Sequence, residues 1–479
     1  MDIVLYALLA LVVIFLGVII IRTLLFTPKS KIAEDSIEID FNKEKAVENL
    51  KALVKFKTVS FAEKEKEDES QFKGLIDSLP SLYKNVFSVC SVKELDDRGI
   101  LIHWKGKSSK LPTVLMSHYD VVDADECHWE KPAFEGIIED GVLWGRGTLD
   151  TKVTLNASLF AADTLIEKGF VPENDIYFAF SGGEEINGNG AVNIVNYFKE
   201  HNIQPNMVVD EGGAVVTNVF PGVKGSCGLI GIAEKGMMNV SYKAISMGGH
   251  ASAPKPNTPL IRLSRAILKV EKNPFKMHIT KPVKEMFDTL GRHSNFLYRM
   301  IFANLWLFTG VLNSIAKKGG GEMNALLRTT TAFTQSTGSS APNVIPPSAE
   351  IVSNMRLNPE DSTISALKFL KEITKEENVE VNMLTGTEPS TISETDCEQW
   401  DRISSAVAST WKGCIVSPYL MVQCSDSRHY NGFSSHVYRF SAMDLTSEER
   451  ATIHGNNERI RINTIHKSVE FYIRLINKC

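Results

Sequence analysis

The sequence predicts an α/β fold: a mixed, mainly parallel sheet flanked by helices, with an inserted α+β unit and an apolar helix at the N-terminus. Three observations carry this. Short apolar runs that read as buried strands alternate with helical periodicity from about Phe41 to residue 235. From about residue 236 the pattern changes to the alternation of half-exposed strands, and a matching β-α-β pattern closes near residue 387. Finally, Ile3 to Ile21 run without a charge. As a helix rising about 1.5 Å per residue, that stretch nearly crosses a hydrocarbon core of about 30 Å.

The expected organisation is therefore a membrane anchor at 1–26, a polar tether at 27–40, a catalytic domain at 41–235 and 388–479, and an inserted domain at 236–387. A cleaved signal peptide fits less well. It would favour a basic start and a shorter apolar stretch, whereas this chain opens Met-Asp and runs from Ile21 into Arg22. Arg22, Lys29 and Lys31 follow the helix and only Asp2 and the terminal amine precede it, which favours the cytoplasmic face for the rest of the chain.

Composition excludes some classes. With 479 residues, 43% hydrophobic and 23% charged, the chain has ordinary globular material for two or three domains. A net charge of −5 and a pI near 6.2 give no basic surface for nucleic acid. The seven cysteines include no C-x-x-C pair, which argues against both a disulfide scaffold and a thiolate zinc site.

Taken in order, residues 43–55 and 71–83 predict helices, and 86–92 and 99–104 predict strands. T-V-L-M-S at 113–117 reads as a buried strand that delivers His118 at its carboxyl end, where α/β sheets collect ligands, with Asp120 two residues on. Asp150 closes the loop L-W-G-R-G-T-L-D and precedes a helix that Gly169 ends. The strand D-I-Y-F-A-F (175–180) runs into S-G-G-E-E with Glu184 and Glu185, and P-N-M-V-V (205–209) runs into D-E-G-G with Asp210 and Glu211. Later come a half-exposed strand from Lys235, the loop G-G-H-A-S-A-P, a helix at 258–271, a strand at 349–357, a helix from Thr363 and a strand from Val379. Between the halves, 296–316 is strongly apolar but carries Arg299, Asn304 and Asn313, which predicts a buried or membrane-surface helical hairpin rather than a second span.

His118, Asp150, Glu185, Glu211 and His454, the last in I-H-G-N-N-E, form a set of imidazoles and carboxylates suited to zinc, manganese or cobalt. Five such groups suffice for two ions about 3.5 to 4 Å apart, a pair that polarises a carbonyl and activates water. Asp150, from the central loop, is the expected bridge. Adjacent side chains leaving a strand diverge, so Glu185 is expected at the metal and Glu184 at the water as general base. Asp120 is expected to orient the His118 imidazole.

These motifs, with W-x-x-x-P-F at Trp129 to Phe134, G-G-H-A-S-A-P, N-V-I-P-P and D-S-R, resemble the co-catalytic zinc amidohydrolases that include aminoacylase, carboxypeptidase G and dipeptidase V. The nearest branch is that of carboxypeptidase S and the N-fatty-acyl amino acid hydrolases, and the resemblance covers roughly 45–475. It implies a zinc-peptidase domain with an inserted lid and dimerisation domain, two zinc ions per subunit, and the metal and proton-transfer roles given above. It also implies that His250 holds the oxyanion, in dimeric members within the partner's site, and that Asn343 and Arg356 bind the substrate carboxylate or support the dimer. From its residues alone, His250 reads as a loop histidine. The branch carries Asp before its paired glutamates, where this chain has Gly183. Some relatives use Asp at the point of D-E-G-G, so the resemblance implies either Asp210 or Glu211 at the second metal, with Glu211 the choice. The expected activity is release of an amino acid from an N-acyl amino acid or small hydrophobic peptide, with a dipeptidase or carboxypeptidase as the alternative. A non-catalytic zinc-binding membrane protein is the rival from another class, and the presence of Glu184 with all five ligands argues against it.

Overall fold

The computed structural model describes every residue except Met1, Ser30, Lys31, Ala33, Ser36 and Val219. Lys31, counted above for orientation, thus lies outside the described residues, as does part of the 27–40 tether. The chain begins with α1 (Asp2–Leu25), whose side chains are exposed over most of its length and which is long and apolar enough to cross a membrane. The described part of the tether is not free-standing. Ile32, Ile39 and Phe41 pack on the main core, and the Asp35 N–H donates to Ser409 Oγ at 2.8 Å.

α2 (Lys43–Val54) starts where the Asn42 side chain accepts the Lys45 N–H, and it buries Leu50, Leu53 and Val54. α3 (Glu69–Leu82) is capped by Asp68. The predicted strand at 86–92 is instead α4 (Lys84–Val89), followed by β1 (Ser91–Leu95). The reason is distant. Asp163 accepts the N–H groups of Asn85 at 2.7 Å and Val86 at 3.2 Å, capping a helix that the β-branched local sequence does not announce.

β2 (Gly99–Trp104) and β3 (Ser108–His118) follow; β3 is exposed at its start and buried from Pro112 to His118. The hairpin β4 (Ile137–Glu139) and β5 (Val142–Trp144) leads into the Asp150 loop and α5 (Lys152–Glu167), buried from Lys152 to Leu165. Then come β6 (Asn174–Ser181), α6 (Gly190–Glu200), β7 (Met207–Thr217) and β8 (Ser226–Glu234). β7 does not end at D-E-G-G as the sequence suggests but runs on through it, for a reason that lies in the site below.

The middle of the chain forms β9 (Gly236–Ile245), β10 (Gly249–His250), α7 (Pro259–Lys272), α8 (Lys281–His293), α9 (Phe296–Ala303), α10 (Leu305–Gly319), α11 (Gly321–Leu327), β11 (Thr330–Thr337), β12 (Val344–Ile345), β13 (Ser348–Leu357), α12 (Thr363–Thr374) and β14 (Glu380–Thr387). The chain ends with α13 (Glu398–Thr410), β15 (Ile415–Met421), β16 (Val437–Leu445), α14 (Ser447–Ala451), β17 (Arg459–Arg461) and α15 (Ile462–Ile476).

Among the described residues the larger sheet has the order β1-β2-β6-β3-β7-β16-β8-β15. It is parallel through its centre, where β6, β3, β7 and β16 run alike, and antiparallel at β1–β2, β2–β6 and β8–β16. α2, α5, α13 and α15 cover one face, and α6 packs on the other through Ile194, Val195 and Phe198. This is the mixed, mainly parallel α/β architecture that the alternation of patterns predicts.

A smaller antiparallel sheet, β11-β13-β9-β14, carries α7 and α12 and has its own core around Met238, Tyr242, Leu263, Met355 and Leu370. The segment α8–α11 lies between β9 and β11 in sequence but joins neither that sheet nor its core. Val283, Phe287, Leu290, Phe302, Leu312 and Leu327 pack instead with Val216, Leu229, Tyr419 and Met443 of the larger sheet.

Candidate metal centre

Five chain segments converge near the carboxyl ends of the central parallel strands. β3 ends at His118, which is buried. Its Nδ1 lies 3.0 Å from the carbonyl of Asp120, a contact that requires the proton on Nδ1 and leaves Nε2 to face the site. Nε2 stands 2.9 Å from Asp150 Oδ1 and 3.5 Å from Glu211 Oε1.

Asp150 sits at the end of a loop held from inside. The buried Glu458 carboxylate accepts the N–H groups of Gly147, Leu149 and Asp150 and pairs with Arg146 at 2.8 Å. The peptide bond between Asp150 and Thr151 is cis. The two Asp150 oxygens diverge: Oδ1 faces His118, and Oδ2 faces His454 Nε2 at 3.1 Å. His454 also meets Glu185 Oε2 at 3.1 Å. It lies in the turn after α14 with φ +59° rather than at a strand end, and its side chain is 54% exposed, which puts it at the mouth of the cluster.

Glu184 and Glu185 occupy a short 3₁₀ turn after β6. Asp120 Oδ1 accepts the Glu184 N–H at 3.1 Å, Oδ2 accepts the Glu185 N–H at 3.2 Å, and Ser60 Oγ donates to Oδ2 at 2.7 Å. The Asp120 carboxylate is 3.4 Å from His118 Nδ1, farther than its own carbonyl. Its nearer partners are therefore the two acids, not the imidazole.

Glu211 enters through a bulge. On β16, Arg439 pairs with Asp210 and the next residue, Phe440, pairs with Gly213, so Glu211 and Gly212 are squeezed out of the ladder toward the site. Glycine is required there: Gly212 has φ +145°, and a Cβ on Gly213 would come within 1.9 Å of the Leu229 carbonyl. Asp210 is buried on the other side, where Oδ2 accepts the Ser427 N–H at 2.8 Å.

The electrostatics are those of crowded, desolvated acids paired with imidazoles. Burial raises the pKa of Glu211 to about 8 and that of Glu184 well above the carboxylate range, the latter with the Glu211 charge adding to it. Burial also works against ionisation of Asp150, but hydrogen bonds from His118 and His454 outweigh it and hold that carboxyl low. His118 is desolvated too, yet Glu211, Asp120 and Asp150 keep its pKa above the ordinary value. His454 is raised to about 10 by Asp150 and Glu185. Such a cluster fits a divalent cation. His118, Asp150 and Glu185, and again His118, Glu184 and Glu211, place potential ligand atoms within 4.8 Å of one another. Glu185 Oε1 is buried without a hydrogen-bond partner. No thiolate is present in either group.

The cluster opens on a cavity of about 720 Å³. Its wall is largely apolar, with Val216, Leu229, Met421, Met443, Leu445 and Ile453, and α11 contributes Glu322 and Ala325. Of the remaining expected residues, Arg356 donates from Nη1 to Cys424 Sγ at 3.1 Å, and Cys424 lines the cavity. His250 and Asn343 do not join the cluster. Both are exposed, His250 in the separate two-stranded β10–β12 ladder and Asn343 in the turn before β12, and neither lines the cavity.

Sequence reasoning gave no role to Ser60, to Glu458 or to the Asp426–Arg428 pair of D-S-R, whose guanidinium reaches Glu184 Oε1 at 3.7 Å and Asp426 Oδ1 at 3.4 Å. Glu458 ends the motif that supplies His454, and Arg146 stands in the glycine-rich loop before Asp150. Two opposite charges inside otherwise small-residue motifs were the available signal.

The model of peptidase family M20/M25/M40 matches residues 114–478. The chain is 31% identical over 474 residues to a probable carboxypeptidase S-like 2 of Dictyostelium discoideum, covering 96% of this chain and 91% of that one. It is 32% identical over 440 residues to the N-fatty-acyl-amino acid synthase/hydrolase PM20D1 of Xenopus tropicalis, covering 91% and 86%. Among solved structures, the M20 family metallo-carboxypeptidase Sso-CP2 of Sulfolobus solfataricus superposes with a TM-score of 0.65 at 16% identity, covering 92% of this chain and 99% of that one. Human carnosine dipeptidase 1 superposes with a TM-score of 0.63 at 14% identity, covering 91% and 96%.

Proposed function

The chain belongs to peptidase family M20/M25/M40 and is a metallohydrolase, and from that premise we propose that it releases amino acids from N-acyl amino acids with lipophilic acyl groups while tethered to a membrane by α1. One observation carries this reading: the carboxylate and imidazole cluster sits at the end of a large cavity in which Val216, Leu229, Met421, Met443, Leu445 and Ile453 form a continuous apolar part of the wall. Small polar dipeptides would leave such a wall wet, whereas an acyl chain would bury it at about 25 cal/mol per Å². The similarity to the N-fatty-acyl-amino acid synthase/hydrolase of Xenopus tropicalis supports the same substrate class.

Two divalent ions, zinc before cobalt or manganese, would be held by His118, Asp150, Glu185, Glu211 and His454, with Asp150 offering one oxygen to each side. When bound, they would supply Lewis acidity to the amide carbonyl and to the attacking water. Glu184 takes the proton from that water and returns it to the leaving nitrogen. Arg428 at 3.7 Å steadies the Glu184 carboxylate between those transfers. Arg356, beside the cavity, offers a cation for the substrate carboxylate. The exposed positions of His250 and Asn343, away from the cavity, suit a homodimer in which they complete the site of a second copy.

The test is amino-acid release from a paired panel of N-fatty-acyl amino acids and dipeptides, with zinc and with a chelator, beside Glu184→Gln. Chelator-sensitive release from the acylated half, abolished in Glu184→Gln, is the expected result. Preference for short dipeptides would move the assignment to a peptidase. No release from either half, with metals bound, would overturn hydrolysis of these amides.

A further inference from the structure

We infer that the α9–α10 hairpin is embedded in the hydrocarbon of the same bilayer that α1 crosses, so that the enzyme is seated on the membrane by two elements in fixed register. This rests on the reading of α1 as a span.

The first observation is the surface of α10. Leu312 and Ala316 face the protein core, as one stripe of an amphipathic helix should. An exposed stripe beside it is apolar as well: Leu307, Val311 and Ile315 follow one another at four-residue intervals and are 38%, 49% and 57% exposed. A helix beside water places polar residues there. Phe296 and Trp306, 54% and 58% exposed, continue the patch onto α9 and the hairpin tip. Basic residues mark its far end, where Lys317 and Lys318 close α10.

The second observation fixes the occupant. α1 is joined to the hairpin at the bend between α9 and α10, which is 112°. Arg22 Nε donates to Asn304 Oδ1 at 3.1 Å and Arg22 Nη2 to the Ala303 carbonyl at 3.0 Å. Asn304 Nδ2 donates to the Ile19 carbonyl and to Thr23 Oγ1, both at 3.3 Å. Farther along α1, the Phe15 and Trp306 rings meet edge to face with centroids 6.0 Å apart. Arg22 marks the polar end of α1, and Phe15 lies seven residues, about 10 Å, farther along it. Whatever medium surrounds Phe15 also meets Trp306. If α1 crosses a bilayer, the tip of the hairpin lies within the hydrocarbon of the near leaflet, and the stripe on α10 is lipid-facing. The Arg22–Asn304 contacts then satisfy the polar groups at the boundary instead of leaving them in lipid.

The other side of the hairpin supports this seating. Arg292 Nη1 donates to the Thr27 carbonyl at 2.9 Å and its guanidinium covers the Phe26 ring, while Lys29 pairs with Asp288 at 2.8 Å. The chain leaving α1 is thus clamped to α8 as well. α1 is fixed on the enzyme at both contacts and does not behave as a flexible leash.

Trp306 is the most exposed tryptophan and lies outside the folded core that holds Trp104, Trp400 and Trp411, so it is its own reporter. The full chain is reconstituted in phosphatidylcholine vesicles, with or without bromine on the acyl chains, and the emission of Trp306→Phe is subtracted from that of the wild type. The Trp306 component should lose most of its intensity in brominated vesicles and resist aqueous iodide. Adding Val311→Trp to Trp306→Phe, which moves the reporter along the patch, should restore a quenched component. A protein that floats with the vesicles but whose Trp306 component is untouched by bromine overturns the inference and leaves α1 as an anchor. Protection from iodide that is lost on dilution would then identify a second copy as the cover. Failure to float overturns both readings.

Discussion

The carboxylate of Asp120 accepts the backbone N–H of Glu184 at 3.1 Å, so the acid beside His118 in sequence acts chiefly on the acid pair across the sheet. Its second oxygen accepts the Glu185 N–H at 3.2 Å, and Ser60 completes the set. One buried carboxylate thereby ties the end of β3 to the turn after β6. It fixes both acids before any metal arrives.

Asp120→Asn keeps the shape but turns one of the two acceptors into a donor, so that whichever way the amide turns it faces the N–H of Glu184 or of Glu185. Metal affinity and turnover should both fall, by about 10- to 100-fold, as for other groups that orient metal ligands. Metal titration and steady-state kinetics on the same preparation check this. Loss of turnover with unchanged metal affinity would show that Asp120 serves Glu184 alone.

Asp210 and Glu211 should separate cleanly. Glu211→Gln removes a carboxylate from the cluster and should lower the number of metals bound. Asp210→Asn should leave the metal content intact and cost stability instead, about 1 to 3 kcal/mol, because the Ser427 N–H loses a charged acceptor in a buried place. Metal stoichiometry by elemental analysis and thermal melts of both variants distinguish the two.

Much of this was legible in the chain. His118, Glu184 and Glu185 follow short apolar runs, and the strands deliver them where such runs end, whereas Asp150 is placed by a loop that the distant Glu458 holds. Glu211 was legible as a residue but not as a geometry, since a bulge depends on the register of β16, more than two hundred residues away. α4 was misread for a similar reason: its cap is Asp163. The inserted segment could not be partitioned from local patterns, because α8–α11 are continuous with the smaller sheet in sequence but pack on the larger one. His454 gave its chemistry through its motif, while its place after α14 follows from long-range packing.

Glu458 is buried with Arg146, and it also gathers three N–H groups of the Asp150 loop. Glu458→Ala leaves a guanidinium and those donors without their carboxylate. Breaking one side of such a pair costs about 3 to 5 kcal/mol. The melting temperature should fall and metal content should fall with it, since Asp150 is no longer held. Arg146→Met with Glu458→Gln should recover part of the stability, and a melt of the three proteins side by side reads the difference.

Lys235 supplies a pH test away from the cluster. It is buried, and its Nζ lies 2.8 Å from the carbonyls of Ala325 and Arg328. Burial, with the Arg356 guanidinium nearby, pushes the amine down to about 7. Above that pH the folded protein holds the neutral amine, whose two N–H groups serve both carbonyls. The unfolded chain keeps its proton until the ordinary lysine value. Between the two the unfolded state binds more protons, so the Lys235 contribution to stability rises with pH, by at most about 1.4 kcal/mol per unit. Below the folded value the rise stops and the full cost of burying a charge remains. Lys235→Met lacks this dependence and loses both hydrogen bonds. Wild type should therefore gain on the variant from pH 7 to pH 9, by up to about 2.5 kcal/mol in melts of the two proteins. A difference that stays flat across that window would mean that Lys235 remains charged when folded and that its two carbonyl contacts, not its burial, decide its state.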